Sequence, residues 1–141
     1  MKPEFNAYLA RLRAHSTLAN KTDTVSRVNT DGSPVRTNYV VAIPSTPTRL
    51  DDDRLSAPQR FESSRGLSVD VKVVAVDIDG LWLLLEAVQT QSIGHELIVP
   101  GRKCSPIVMA TDDLEEGRMK YDPTAKLYYI VASFDFTSDP A

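Results

Sequence analysis

The sequence predicts an α+β domain: a mainly antiparallel sheet, two helices packed on one face of it, and a long loop after the second strand. Three observations lead there. Apolar residues recur at helical spacing in two separate stretches, and an 11-to-12-residue run between them alternates with a period of two. Short β-branched or aromatic runs are divided by strong turn pairs, Asp31-Gly32 and Pro100-Gly101. The resulting order is α, β, β, long loop, β, α, β, β, β, with no internal repeat.

The first helix is expected over about residues 3 to 18. Pro3 and Glu4 suit its first turn, and Phe5, Tyr8, Leu9 and Leu12 form one stripe. Arg11, Arg13 and His15 favour the negative end of its dipole. "TDTVSRV" and "NYVVAI" then read as a hairpin around Asp31-Gly32. Residues 44 to 66 hold Pro44, Pro47 and Pro58 and no apolar period, and are long for a connection inside a compact domain.

"GLSVDVKVVAVD" is the clearest strand, with Leu67, Val69, Val71, Val73 and Ala75 on one face. Asp77 or Asp79 can cap the helix that follows, whose stripe is Leu81, Leu84, Leu85 and Val88. At ~100° per residue Leu83 lies nearly opposite that stripe and Trp82 on its flank, so one of them should contact something outside the fold. "HELIVPGRKCSPIVMA" reads as two strands about Pro100-Gly101, and "LYYIVASFDF" as a strand whose two faces both begin apolar. That strand is either central in the sheet or partly covered by a neighbour.

With 141 residues, 42% of them hydrophobic, the chain suits one domain spanning 1–141, with 45–65 as an extended loop and 138–141 as a tail. The net charge of −3 favours neither a nucleic-acid binder nor a disordered chain. Its distribution says more. Residues 1–66 carry ten Lys/Arg against seven Asp/Glu and residues 67–141 six against twelve, so the parts are +3 and −6. Such an asymmetry suits a subunit whose basic edge meets the acidic edge of an identical neighbour. The single cysteine, Cys104, rules out an internal disulfide and points to a reducing cytoplasm. The opening "MKPEFNAYLARLRAH" lacks a signal peptide's apolar core, and no apolar run is long enough to span a membrane.

Candidate chemistry is sparse. Asp51, Asp52 and Asp53 offer oxygen ligands for Mg²⁺ or Ca²⁺, which would make the protein a small metal-dependent enzyme, but adjacent residues rarely converge on one ion. The plainer reading pairs them with Arg49 and Arg54 on a solvated loop. "DIDG" at 77–80 opens like a calcium loop but lacks the later acids, so capping explains it better. Cys104 with His95 could be a thiol and its base, although a lone cysteine is more often a small core residue. No glycine-rich phosphate cradle is present. Arg49, Arg54, Arg60 and Arg65 recur in the loop with acids among them and only Phe61 as an aromatic, a weak nucleic-acid signal. What remains is surface, and it points to assembly rather than catalysis.

Three stretches, "YVVAIPSTPTRLDDDRLS", "SVDVKVVAVDIDGLWLLLEAVQTQSIGHELIVPGRKCSPI" and "YDPTAKLYYIVASFDFTS", together resemble the tail terminator proteins of siphophages, also called minor tail or tail completion proteins. The resemblance covers about residues 35 to 138. It rests on element order and short pieces: Y-V-V-x-x-P near R-L-x-x-D-R-L, G-R-x-C-x-P-I, and a final aromatic strand. It does not reach residues 1–34.

The resemblance implies a homo-hexameric ring at the head-proximal end of a virion tail, assembled in the host cytoplasm. Such a ring stacks on the last ring of the tail-tube protein, stops tube polymerisation and offers a platform to the head-side connector. DNA passes through the lumen without sequence-specific binding. Neither cofactor, catalytic residue nor membrane is implied. A head-to-tail joining, or neck, protein of the same fold is the alternative. By the same resemblance the loop reaches a neighbouring subunit or the tube through Arg49, Leu50, Asp51, Asp52, Asp53, Arg54, Leu55 and Arg60; the helical wheel and the second face of the last strand add Trp82, Leu83 and Tyr129 as further candidate contacts.

Overall fold

The computed structural model describes residues 2–44, 48–49, 65–110 and 118–140. Among them the chain forms helix α1 (Lys2–Arg13), strands β1 (Thr22–Asp23), β2 (Tyr39–Pro44), β3 (Thr48–Arg49) and β4 (Arg65–Ala75), and helix α2 (Ile78–Ser92). Strands β5 (Ile98–Val99), β6 (Arg102–Cys104), β7 (Val108–Ala110), β8 (Lys120–Asp122) and β9 (Leu127–Pro140) follow. All the described strands join one sheet in the order β1-β2-β4-β9-β6-β5, with β3 added to β4 and β7 and β8 to β9. Every pairing but one is antiparallel. The α+β class predicted from the sequence is the one observed.

Both helices cover one face. Leu67, Val69, Val71, Val73 and Ala75 of β4 and Ile130, Ala132, Phe134 and Phe136 of β9 point into the same core as Tyr8, Leu12, Leu81, Leu84 and Val88. Tyr8 stacks at a tilt on Phe134, ring centroids 6.4 Å apart, and its hydroxyl meets Ser92 Oγ at 2.7 Å, fastening α1 to α2. Burial pushes the Tyr8 phenol well above its usual range, so it stays neutral and works as a hydrogen-bonding group. The opposite face carries a smaller cluster of Tyr39, Val41, Val74, Ala125 and Leu127, which explains why both faces of β9 begin apolar. That strand is central, between β4 and β6, and is partly covered as well.

Three local expectations are corrected. Helix α1 ends at Arg13, not near 18; beyond it the backbone turns more tightly, with His15 N–H to Leu12 O and Leu18 N–H to His15 O. Thr17 N–H goes instead to His15 Nδ1 at 3.1 Å, a local side-chain bond that competes with the helical ladder. The predicted hairpin of 22–28 with 38–43 does not form, because β1 lies parallel to β2, Thr22 opposite Val40. Neither alternate face of "TDTVSRV" is apolar, so the run has nothing to bury as a strand, and Val25 and Val28 are left exposed. The Asp31-Gly32 turn does form, with Gly32 at φ +88°, and closes a small irregular loop through a Val28–Pro34 bridge. Finally, residues 138–140 are no tail: β9 continues to Pro140 opposite Arg102, and Ser138 is fully buried.

Candidate functional site

The strongest strand of the sequence also builds the root of the loop. Thr48 and Arg49 pair with Gly66 and Arg65 at the start of β4, and Arg65 in turn pairs with Ser138 of β9. Arg49 therefore belongs, in its backbone, to the sheet. Leu50, Asp51, Asp52, Asp53, Arg54, Leu55 and Arg60 lie outside the described residues.

Beneath that root sits a buried charged cluster. Glu4 is 1% exposed; its Oε1 accepts from Ser138 Oγ at 3.0 Å and lies 3.6 Å from Arg65 Nη1 and 3.8 Å from Arg102 Nε. Arg102 also donates to Ser138 Oγ at 2.9 Å and to the Ser138 carbonyl at 2.6 Å. Burial raises the Glu4 pKa, but the hydrogen bonds its carboxylate accepts outweigh burial and hold it below the ordinary value. The cluster joins the first turn of α1 to β4, β6 and β9. Arg65, which the sequence offered as a loop arginine, thus faces inward. Glu4, expected only as an acid favoured by the helix dipole, was missed as a core residue. The signal was available, since residues 4, 8 and 12 lie one turn apart on one helix face and all three are buried.

Helix α2 presents the second candidate surface. Asp77 caps it, accepting from Gly80 N–H at 2.6 Å, and Gly80 itself lies so close to Asn38 that a Cβ there would stand 2.5 Å from Asn38 Nδ2. Asn38 Oδ1 accepts from Val76 N–H at 2.9 Å, locking the turn from β4 into α2. Asp77-x-x-Gly80 is thus a cap and a close approach, and needs no ion. Gly94, at φ +81°, ends the helix in the left-handed conformation that glycine adopts without penalty. So held, α2 exposes Trp82 at 54% and Leu83 at 64%. Both candidate contacts are outward, not one of them.

Tyr129 is elsewhere. It is half-buried on the helix-free face, with Lys72 Nζ 4.7 Å above its ring, in a shallow groove of about 160 Å³ that also holds Tyr39 and Arg27. The structure brings Trp82 and Leu83 together and places Tyr129 on the other side of the sheet.

The pairing of Cys104 as a thiol with His95 as its base finds no support in geometry. Cys104 is buried in the core, where burial pushes its thiol up and away from thiolate formation. His95 Nε2 is engaged by the Thr90 carbonyl at 2.9 Å. Among the described residues no three His, Cys, Asp or Glu are placed to hold a metal, and no helix is long and apolar enough to cross a membrane. Asp51–Asp53 are outside that statement.

No family model matches the chain, and no curated protein matches it either. Among solved structures, a chain from the "Virion of native gene transfer agent (GTA) particle" aligns with a TM-score of 0.67, covering 95% of this chain and 92% of that one at 14% sequence identity. What is shared at that identity is the fold, over nearly the full length of both chains.

Proposed function

We propose that the protein is a structural component of a phage-like virion: a homo-hexameric ring that caps the tail tube, stops its polymerisation and presents a docking surface to the head-side connector. The observation that carries the reading is the fold held in common, end to end, with a chain of a gene transfer agent virion. Two features support it. The root of the 50–64 segment is tied into the sheet by pairing on both sides and clamped by the Glu4 cluster, a rigid mount for a contact segment. Exposed Trp82 is of the residue type that most often anchors protein contacts.

In this reading the 45–65 loop, through Arg49, Leu50, Asp51, Asp52, Asp53, Arg54, Leu55 and Arg60, meets the neighbouring subunit or the tube. Its charges set register and specificity more than affinity. DNA passes through the lumen without base readout, and no cofactor is needed.

The test is to purify the protein with tail-tube protein and examine it by native mass spectrometry and negative-stain microscopy. Rings at tube ends and shorter tubes are expected. A strict monomer that neither binds nor caps tubes would sink the proposal. Binding to the connector with no effect on tube growth would replace it with the head-to-tail joining role. Reversing both Arg49 and Arg54 to Glu should impair assembly while leaving melting nearly unchanged, because in this reading their charges act between subunits and not within the fold.

A further inference from the structure

Two exposed apolar surfaces of the chain complement each other. On α2, taking ~100° per residue, Glu86 and Asp79 project between Trp82 and Leu83, which makes an apolar ridge with acids along its crest. Neither Asp79 nor Glu86 has a salt-bridge partner among the described residues. The 22–35 segment forms the counterpart, an open recess of about 570 Å³ lined by Val25, Val28 and Val35 together with Arg13, Asp23 and Arg27. Val25 is 71% and Val28 61% exposed. The recess is open rather than enclosed, a shape that meets a convex ridge laid onto it.

The recess is basic at its rim and already ordered. Arg13 donates to the Thr22 carbonyl at 3.0 Å; Arg27 is paired with Asp23, donates to the Asn20 carbonyl at 2.9 Å, and lies 5.3 Å from the Tyr39 ring centre. Arg27 shares its charge with Asp23, so the lining carries two arginines against one acid, and both guanidiniums are already ordered, which leaves little side-chain entropy to lose on contact.

We infer that the Trp82–Leu83 ridge of one copy seats in the Val25–Val28 recess of the next, with Asp79 and Glu86 meeting Arg13 and Arg27. The occupant is a second copy of this chain because the ridge brings two acids without salt-bridge partners among the described residues and an apolar crest to a recess that offers two arginines and exposed valines. Ridge and recess share no residue, so the contact is heterologous, of the kind that closes into a ring. It also gives the +3 and −6 charge asymmetry a physical location. The inference rests on the ring reading and adds to it a contact independent of the 50–64 segment.

The experiment mixes a Leu83→Cys variant with a Val25→Cys variant, with tail-tube protein present, and treats them with a short bis-maleimide. Wild type, whose only thiol is the buried Cys104, is the background. A covalent dimer is expected from the mixture and not from either variant alone, and a ladder of higher species from the double variant. Leu83→Asp, a change on an exposed helix face, should raise the concentration needed for assembly by about tenfold or more with an unchanged melting temperature. Crosslinking of Leu83→Cys to itself would mean a self-complementary contact and would overturn the inference. So would wild-type rings together with an uncrosslinked mixture and a Leu83→Asp variant that assembles normally; the ring reading would then stand without this contact. A wild type that never assembles would remove both.

Discussion

Replacing Glu4 with Gln removes the charge at the centre of the buried cluster and keeps the shape of the side chain. Breaking one partner out of a buried ion pair costs ~3–5 kcal/mol, because the remaining charge is left buried without compensation. Two features here reduce that figure. The Arg65 side chain is 26% exposed, so solvent screens its share, and Arg102, at 9%, keeps both bonds to Ser138. The expected loss is therefore near the lower bound, about 3 kcal/mol, or roughly 6–12 °C in melting temperature for a domain of this size. Differential scanning calorimetry at neutral pH measures it. The pH dependence supplies a second reading. Since the folded-state pKa of Glu4 is depressed, its contribution is fully present above the unfolded value of ~4.3 and is lost as pH falls through the folded one. The gap between wild type and Glu4→Gln should then be full at pH 7 and narrow below about pH 4. A shift under ~2 °C at pH 7, or a gap that stays constant into acid, would show that the cluster does not hold α1 to the sheet.

Gly80→Ala should destabilise by about 1–3 kcal/mol in urea titration, since the added Cβ would stand 2.5 Å from Asn38 Nδ2 and 2.7 Å from Asp77 Oδ1. The sign is the test, because alanine for glycine inside an unobstructed helix stabilises by roughly 0.5–1 kcal/mol. Tyr8→Phe leaves the buried Ser92 hydroxyl without the Tyr8 oxygen at 2.7 Å and should cost about 1–3 kcal/mol; the double variant with Ser92→Ala should cost less than the sum of the single changes. Cys104 should react with an aromatic disulfide reagent at pH 8 only as fast as the protein unfolds, given its burial and raised pKa; rapid labelling under native conditions would contradict its place in the core.

Where burial was one-sided, the sequence was legible. The alternation of β4 and the Leu81–Leu84–Leu85–Val88 stripe of α2 follow from simple geometry, and Asp77 caps as its type and position suggest. The helical wheel placed Leu83 opposite the buried stripe, but left Trp82 on the flank, where the wheel alone does not decide exposure. The parallel placement of β1 could not be foreseen, because two residues carry no period and the pairing is made by a long return through 24–38. The recess at Val25 and Val28 was hidden for the same reason: β-branched residues suggested a strand until the lack of an apolar face was weighed. Glu4 was misread because a charge in a first helical turn already has an ordinary explanation at the surface, and burial was not considered.

The position of β9 bears on how the protein is made. It lies between β4 and β6, although 51 residues separate the end of β4 from its start. During translation β4 therefore emerges with one long edge, Arg65–Ala75, that has no partner until residues 127–140 arrive. Such an edge is a template for pairing with other chains, and the crowding of nascent copies on one message makes those chains available. Lys72 and Asp70, on the helix-free face of that strand, interrupt its apolar run with charge during this interval, the kind of gatekeeping that limits wrong pairing before the right strand exists.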